Sequence, residues 1–249
     1  MKRTIITGIL IAVFLFNACE RRLTYDSFEE DKLFSLEELY ELPTFRYMDR
    51  AMENPEQVFK VAFVKRNFKK VPDEIYQFRY LNILELTLNE INYLPRYVGD
   101  MIYLQDLYMA SNDFKDIPEH VYDLPHLKRI SFADNEITEI PEKLIAKKGI
   151  EEIYLGRNDI SKIPPALYDM KDLKVLQLDR CLITCLSPDI ARLQTLRVLN
   201  LGWNGLRDLP YEEIKSMINL RSINLSRNPL DRIKVMELRN AMPWARIDF

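Results

Sequence analysis

The sequence predicts an α/β fold, a solenoid of eight stacked turns. Each turn would hold one short strand and a helical or 3₁₀ return, with a helical cap at the N-terminal end. Three observations predict it. First, the segments LNILELTLNEINYLP (81–95), LQDLYMASNDFKDIP (104–118), LKRISFADNEITEIP (127–141), IEEIYLGRNDISKIP (150–164), LKVLQLDRCLITCLS (173–187) and LRVLNLGWNGLRDLP (196–210) start 23 residues apart. LRSINLSRNPLDRI follows 24 later at Leu220, and a weaker copy, VFKVAFVKRNFKKVP, begins at Val58. A fixed period of this length marks a chain whose turns cannot bury their apolar edges singly and are completed by their neighbours. Second, Leu107 and Met109 alternate after Leu104 as in a strand facing a core. Downstream, Phe114, Ile117, Val121 and Leu124 recur at the threes and fours of a helical or 3₁₀ return. Third, proline follows the fourteenth position in six of the eight turns, at Pro72, Pro95, Pro118, Pro141, Pro164 and Pro210. Its fixed φ ends the extended stretch at the same place each time.

Residues 1–18 open with Lys2 and Arg3, then run apolar from Ile5 to Phe16 apart from Thr7 and Gly8. A charged start and a short apolar core make a secretory signal, too short for a comfortable membrane span. Asn17-Ala18-Cys19 at its end resembles the box of bacterial lipoproteins. That resemblance implies cleavage before Cys19, lipidation of the cysteine, and a membrane attachment made by the lipid alone. Phe16, where leucine is usual, and Asn17 depart from the pattern; the alternative is an ordinary secretory signal with an incidental cysteine. Residues 19–33 are polar, lack a core pattern and read as a tether. Residues 34–57 carry FSLEELYEL and TFRYMDRAMENPEQ, with Phe45, Met48 and Met52 at helical spacing, and read as a helical cap over the first strand's open edge. The turns fill 58–239. Residues 240–249 read as a C-terminal cap, with Val235, Leu238 and Trp244 available to cover the last core layer.

Together the turns resemble the leucine-rich repeat family, LxxLxLxxN/CxL followed by xxLP, over roughly residues 58–239. The resemblance implies a curved solenoid with parallel strands on the concave side and irregular, 3₁₀ or short helical segments on the convex side. The ninth position of the turn holds Asn89, Asn112, Asn135, Asn158, Cys181, Asn204 and Asn228. A small polar side chain pointing inward there would satisfy backbone groups of the bend, since unpaired buried amides are costly. In the family, cysteine is the usual substitute for that asparagine. Arg66 stands at the ninth position of the first turn and cannot be buried in this way, which fits a capping role. Cys185, four residues after Cys181, falls on the thirteenth position, where the other turns place Lys70, Tyr93, Asp116, Glu139, Lys162, Asp208 and Arg232. One cysteine would point in and the other out. Such a pair shares no metal and cannot complete a zinc site alone, leaving a reactive surface thiol at Cys185 as the functional alternative.

Catalytic chemistry has little to work with. The two histidines, His120 and His126, flank VYDLP and read as solvated surface residues. No GxSxG, HExxH, P-loop or CxxC occurs, and six glycines in 249 residues argue against phosphate-cradling loops. Some bacterial leucine-rich repeat proteins carry a catalytic domain behind the repeats, such as a ubiquitin ligase with a nucleophilic cysteine; here Cys185 lies inside the array. A formal charge of −3 gives no electrostatic reason to expect nucleic acid. The expectation is a non-enzymatic protein without cofactor or metal.

The strand face is where a function would sit. Positions three, five, seven and eight should project from the core. Position five reads Ala62, Glu85, Tyr108, Ser131, Tyr154, Gln177, Asn200, Asn224; position eight reads Lys65, Leu88, Ser111, Asp134, Arg157, Arg180, Trp203, Arg227. Position seven is mostly small, which suggests room for a partner's backbone. Tyrosine, tryptophan and arginine dominate many binding energies, so Tyr108, Tyr154, Arg157, Arg180, Trp203 and Arg227 are the candidate partner-binding residues. The competing view is that these side chains simply pair across turns, as Asp179 and Arg180 could. Two functions remain. One is a lipid-anchored binding module of the bacterial envelope, holding a protein or glycan on the concave face. The other is a structural envelope protein without a specific ligand. Glu20 differs from the aspartate that retains well-studied lipoproteins at the inner membrane, which favours the outer membrane, with periplasmic and surface display both open and no oligomeric state implied.

Overall fold

The computed structural model describes residues 33–249. The signal segment 1–18, Cys19 and the tether as far as residue 32 lie outside the described residues. Each turn contributes a three-residue strand: β1 (Lys60–Ala62), β2 (Ile83–Glu85), β3 (Asp106–Tyr108), β4 (Arg129–Ser131), β5 (Glu152–Tyr154), β6 (Val175–Gln177), β7 (Val198–Asn200), β8 (Ser222–Asn224) and β9 (Arg246–Asp248). They form one parallel sheet in sequence order. Lys60 pairs with Ile83 and Val175 with Val198, one sequence period apart; Val198 then pairs with Ser222, and Ser222 with Arg246. Every position therefore stacks on the same position of the next turn, and the sequence columns become columns in space.

Positions four and six turn inward on each strand. Leu84 and Leu86, Leu107 and Met109, Ile130 and Phe132, and Ile153 and Leu155 are all fully buried. The strand ends early because the eighth position bends. Lys65, Leu88, Ser111, Asp134, Arg157, Arg180, Trp203 and Arg227 all have φ between 53° and 60°. A left-handed conformation costs an L-residue about 1–2 kcal/mol. Here a backbone hydrogen bond to the next turn offsets it: Arg157 N–H donates to Asp179 O at 2.7 Å, Arg180 N–H to Gly202 O at 2.8 Å, and Trp203 N–H to Ser226 O at 2.7 Å.

The returns are 3₁₀ segments at Asp73–Gln77, Arg96–Asp100, Glu119–Asp123, Pro165–Asp169 and Pro188–Arg192. A further 3₁₀ segment at Pro55–Gln57 and five α-helices complete the set among the described residues: α1 (Leu36–Glu41), α2 (Met48–Met52), α3 (Glu142–Ala146), α4 (Tyr211–Lys215) and α5 (Arg232–Ala241). Pro72, Pro95, Pro118, Pro141, Pro164 and Pro210 each stand immediately before a return. Proline thus both stops the extended stretch and opens the next helical turn. In the sixth turn Ser187 takes its place, its Oγ accepting from Asp189 N–H at 3.2 Å. Neighbouring strands lie about 4.8 Å apart, closer than helical returns with side chains can stack, so the array curves with the sheet inside.

Both ends differ from expectation. Phe45 is not helical: it bridges Val61 in parallel, with Phe45 N–H donating to Lys60 O at 3.0 Å and Ala62 N–H to Phe45 O at 2.8 Å. One extended residue thus covers the outer edge of β1. Helix α1 is set by a Ser35–Glu38 capping box, and its end is tied to the sheet by Lys60 Nζ, which donates to Leu39 O at 2.6 Å and Leu42 O at 3.2 Å. Arg66 stays exposed, its guanidinium over the Tyr47 ring at 4.5 Å and donating to Arg46 O at 2.6 Å. At the other end the tail read as a cap supplies a ninth strand, β9. Val235 and Leu238 of α5 are buried with Met242 and Ile247, whereas Trp244, expected in the last layer, stays 39% exposed. The signal was present: WARIDF at 244–249 repeats the LxxLxL spacing, 24 residues after Leu220.

Candidate functional site

The ninth-position asparagines fix the frame of the strand face. Asn112 Nδ2 donates to Leu86 O at 3.0 Å, Met109 O at 3.2 Å and Ala110 O at 3.2 Å, while its Oδ1 accepts from Ile91 N–H at 3.0 Å. Asn135, Asn158, Asn204 and Asn228 repeat the pattern. Asn89 accepts from both Arg66 N–H and Phe68 N–H, and so supplies the ladder for a first turn whose ninth position holds Arg66. Cys181 occupies the same column, buried, with Sγ donating to Leu155 O at 3.5 Å and Asp179 O at 3.7 Å. Where the asparagines present an oxygen to the preceding turn, it presents only sulfur to Ile160 N–H. Burial pushes its thiol above the usual range, which keeps it a protonated, inert donor. Cys185 is exposed.

On the strand face, the third position carries charge on three consecutive turns, at Asp106, Arg129 and Glu152. Arg129 grips Asp106 with both arms: Nε donates to Oδ1 at 2.6 Å and a terminal nitrogen to Oδ2. In the next turn Tyr154 Oη donates to Glu152 at 2.5 Å. Burial pushes the Asp106 carboxyl up against the opposing pull of the Arg129 guanidinium, and pushes the Tyr108 and Tyr154 phenols well above their ordinary range. The opposite charges of Asp106 and Arg129, one period apart in a parallel register, were legible as a pair. Tyr154 therefore belongs to a paired, half-buried patch on β3–β5, and Tyr108 lies half-buried beside it.

Two of the small residues at position seven, Gly156 and Gly202, are not open to a visitor. A Cβ at Gly156 would lie 2.5 Å from Asp179 Oδ1, and one at Gly202 would lie 2.7 Å from Asn224 Nδ2. The next turn's side chains fill these spaces, and Asp179 is held by Asn200 Nδ2 at 2.9 Å. Asn224 Nδ2 in turn donates to Asn200 Oδ1 at 2.9 Å. The expected room for a partner backbone is thus taken by an internal amide network. Neither Asp179 nor Arg180 forms an ion pair with an adjacent turn among the described residues: Asp179 is held by the Asn200 amide and Arg180 lies over the Trp203 ring.

Beyond the strands, the left-handed eighth positions line up as a rim. Trp203 is 47% exposed and sits between two guanidiniums, with Arg180 Cζ at 4.3 Å and Arg227 Cζ at 5.1 Å from its ring centroid. Arg157 is exposed one turn before Arg180. None of these three arginines has a carboxylate partner among the described residues. The six candidate residues thus fall into two groups: Tyr154 in the paired patch with Tyr108 beside it, and Arg180, Trp203 and Arg227 in the stack, with Arg157 on the same rim.

The histidines also separate. His126 is exposed. His120 is not the solvated residue expected: it is half-buried, packs over Gly99, and its Nε2 is enclosed without a hydrogen-bond partner among the described residues. Among those residues no group of three histidine, cysteine or acidic side chains is placed to hold a metal, and no helix is long and apolar enough to cross a membrane.

Comparison with known proteins agrees with this architecture. Residues 171–230 match the family described as Leucine rich repeat. No curated protein matches the chain. Among solved structures, a leucine-rich repeat protein of Leptospira interrogans is similar at 28% identity and TM-score 0.68, covering 78% of this chain and 50% of its own. An internalin of Listeria monocytogenes is similar at 21% identity and TM-score 0.63, covering 74% and 51% respectively. The plant peptide hormone receptor RGFR1, in complex with RGF2, is similar at 28% identity and TM-score 0.58, covering 74% and 31%. The chain spans about half or less of the structures it matches. The fold is a leucine-rich repeat solenoid, a scaffold that is typically non-enzymatic and generally mediates protein binding.

Proposed function

We propose that the protein is a binding module of a bacterial cell envelope that holds a protein partner against the concave side of its repeats. The observation that carries this reading is the exposed Trp203 between two arginines without carboxylate partners among the described residues. A side chain of this size left half in water, beside cations left unneutralised, costs nothing to explain if a partner covers them. The plant receptor structure, in complex with RGF2, supplies a precedent for a repeat solenoid with a bound ligand. The lipoprotein-like Asn17-Ala18-Cys19 supports attachment through a lipid on Cys19, and Glu20 favours the outer membrane.

Two experiments test it. A photo-crosslinking residue placed at Gln177, on β6, should give discrete protein adducts in cells, and one placed at Ala166, on the exposed return of the same region, should not. Equal labelling from both sites, or none from position 177, removes the concave-face reading and leaves the ligand-free structural protein. Metabolic labelling with palmitate should mark the chain and fail on Cys19→Ala; unchanged labelling would exclude Cys19 as the anchor.

A further inference from the structure

The rim changes character along the array. At positions eight and ten, the second to fifth turns carry Glu90, Asp113, Asp134, Glu136 and Asp159, against Arg157 alone. The sixth to eighth turns carry Arg180, Trp203 and Arg227 at position eight and the uncharged Leu182, Gly205 and Pro229 at position ten. The acidic chain thus gathers on one short stretch exposed apolar surface and cations without a carboxylate partner among the described residues. Leu182 is 57% exposed, and Trp203 47%.

Stacking matters to what the arginines can do. A guanidinium over an aromatic face uses its π surface and leaves its in-plane N–H donors free. Trp203, capped by Arg180 and Arg227, therefore holds two planar forks with their donors unfilled: no hydrogen bond from either side chain is formed among the described residues. Guanidinium forks with unfilled donors match carboxylates, which they bind through two parallel hydrogen bonds. The forks lie two turns apart, about 10 Å by the strand spacing, a span that an extended polypeptide covers in about three residues.

Resting on the reading above that this side of the array binds a partner, we infer that the rim of the sixth to eighth turns is a docking site for an acidic polypeptide segment. Its carboxylates pair with Arg180 and Arg227, and an apolar residue between them covers Leu182 and the exposed edge of Trp203. Charge complementarity selects the acid. Leu182 selects polypeptide over a sulfated or phosphorylated glycan, which has no aliphatic side chain to place there. Gln177, on the strand leading to Arg180, has a carboxamide with no partner among the described residues, and such a group suits a partner's backbone.

The test uses the full chain with Trp244→Phe, so that Trp203 is the one reporter tryptophan. Its fluorescence is titrated with a soluble glutamate-rich peptide holding a central leucine, with the same peptide carrying lysine for glutamate, and with a sulfated oligosaccharide. The glutamate peptide should bind with an affinity that falls as salt rises, and the lysine peptide should not bind. Arg180→Ala with Arg227→Ala should weaken binding about tenfold or more, and Leu182→Ser by a few fold, with unchanged circular dichroism. Binding of the lysine peptide, insensitivity to the double variant, or no binding of the glutamate peptide would overturn the inference. Equal or tighter binding of the oligosaccharide with the same arginine dependence would overturn the polypeptide assignment. If crosslinks from position 177 persist while the glutamate peptide fails, the binding reading stands and the acidic ligand falls.

Discussion

The strand-face patch around Asp106 and Arg129 and the rim around Trp203 use similar side chains to opposite ends. In the patch the side chains satisfy one another inside the molecule: Arg129 forks onto Asp106, and the Tyr154 phenol donates to Glu152. On the rim, Arg180 and Arg227 lie over an indole face and have no carboxylate partner among the described residues. A buried, paired charge has no donor left for a partner, and removing one member strands the other in a low-dielectric site. An exposed, stacked guanidinium keeps its donors and gives up little if removed. The composition of a surface column therefore says less about its role than whether the adjacent turn has already satisfied it.

That contrast can be broken most forcefully at Arg129. Arg129→Met leaves the Asp106 carboxyl buried without its cation and should cost about 3 kcal/mol in urea unfolding at neutral pH. Burial already raises the Asp106 carboxyl, and losing the guanidinium raises it further. Protons bound more tightly in the folded state make stability fall as pH rises through that raised value, so the deficit should shrink on acidification toward the ordinary carboxylate range. A pH-independent deficit would mean that Asp106 is not the group left unpaired.

The ladder sharpens the comparison next. Asn158→Ala removes donors to Phe132 O and Leu155 O and the acceptor of Ile137 N–H, and should cost about 2 kcal/mol. Cys181→Ala removes only long sulfur contacts and should cost about 1 kcal/mol or less. Equal losses in paired unfolding curves would show that the cysteine carries a full asparagine's share. On the rim, Trp203→Ala should cost under about 1 kcal/mol, since exposed cation–π contacts are worth little to folding. The smallest change is expected at Glu85, whose carboxyl burial pushes upward against a weaker pull from Arg46. Glu85→Gln should raise stability at neutral pH by a few tenths of a kcal/mol and flatten the loss of stability between the ordinary glutamate range and neutrality. A drop in stability at neutral pH would show that the charge is used.

The repeat period made most of the fold legible, because a parallel register turns sequence columns into spatial ones. The inward asparagine column, with Cys181 in it, followed from the same spacing. What escaped had physical reasons. Phe45 pairs with a single residue, too short a contact to leave a pattern, so its spacing to Met48 and Met52 read as helix. The small residues Gly156 and Gly202 looked like open surface because the side chains that fill them, Asp179 and Asn224, lie a full turn away in sequence. The left-handed eighth position carries arginine, tryptophan and leucine instead of glycine, so residue type gave no hint of the bend. The division of the candidate residues into a paired patch and an unpaired rim depended on which neighbour each side chain reached, and that needs coordinates.

The most direct test of that division is to measure urea unfolding and glutamate-peptide affinity side by side on Arg180→Ala/Arg227→Ala in the Trp244→Phe background. The account predicts an unfolding midpoint essentially unchanged and an affinity lowered about tenfold or more. A midpoint that falls while the affinity of the folded protein holds would make the rim arginines structural and contradict it.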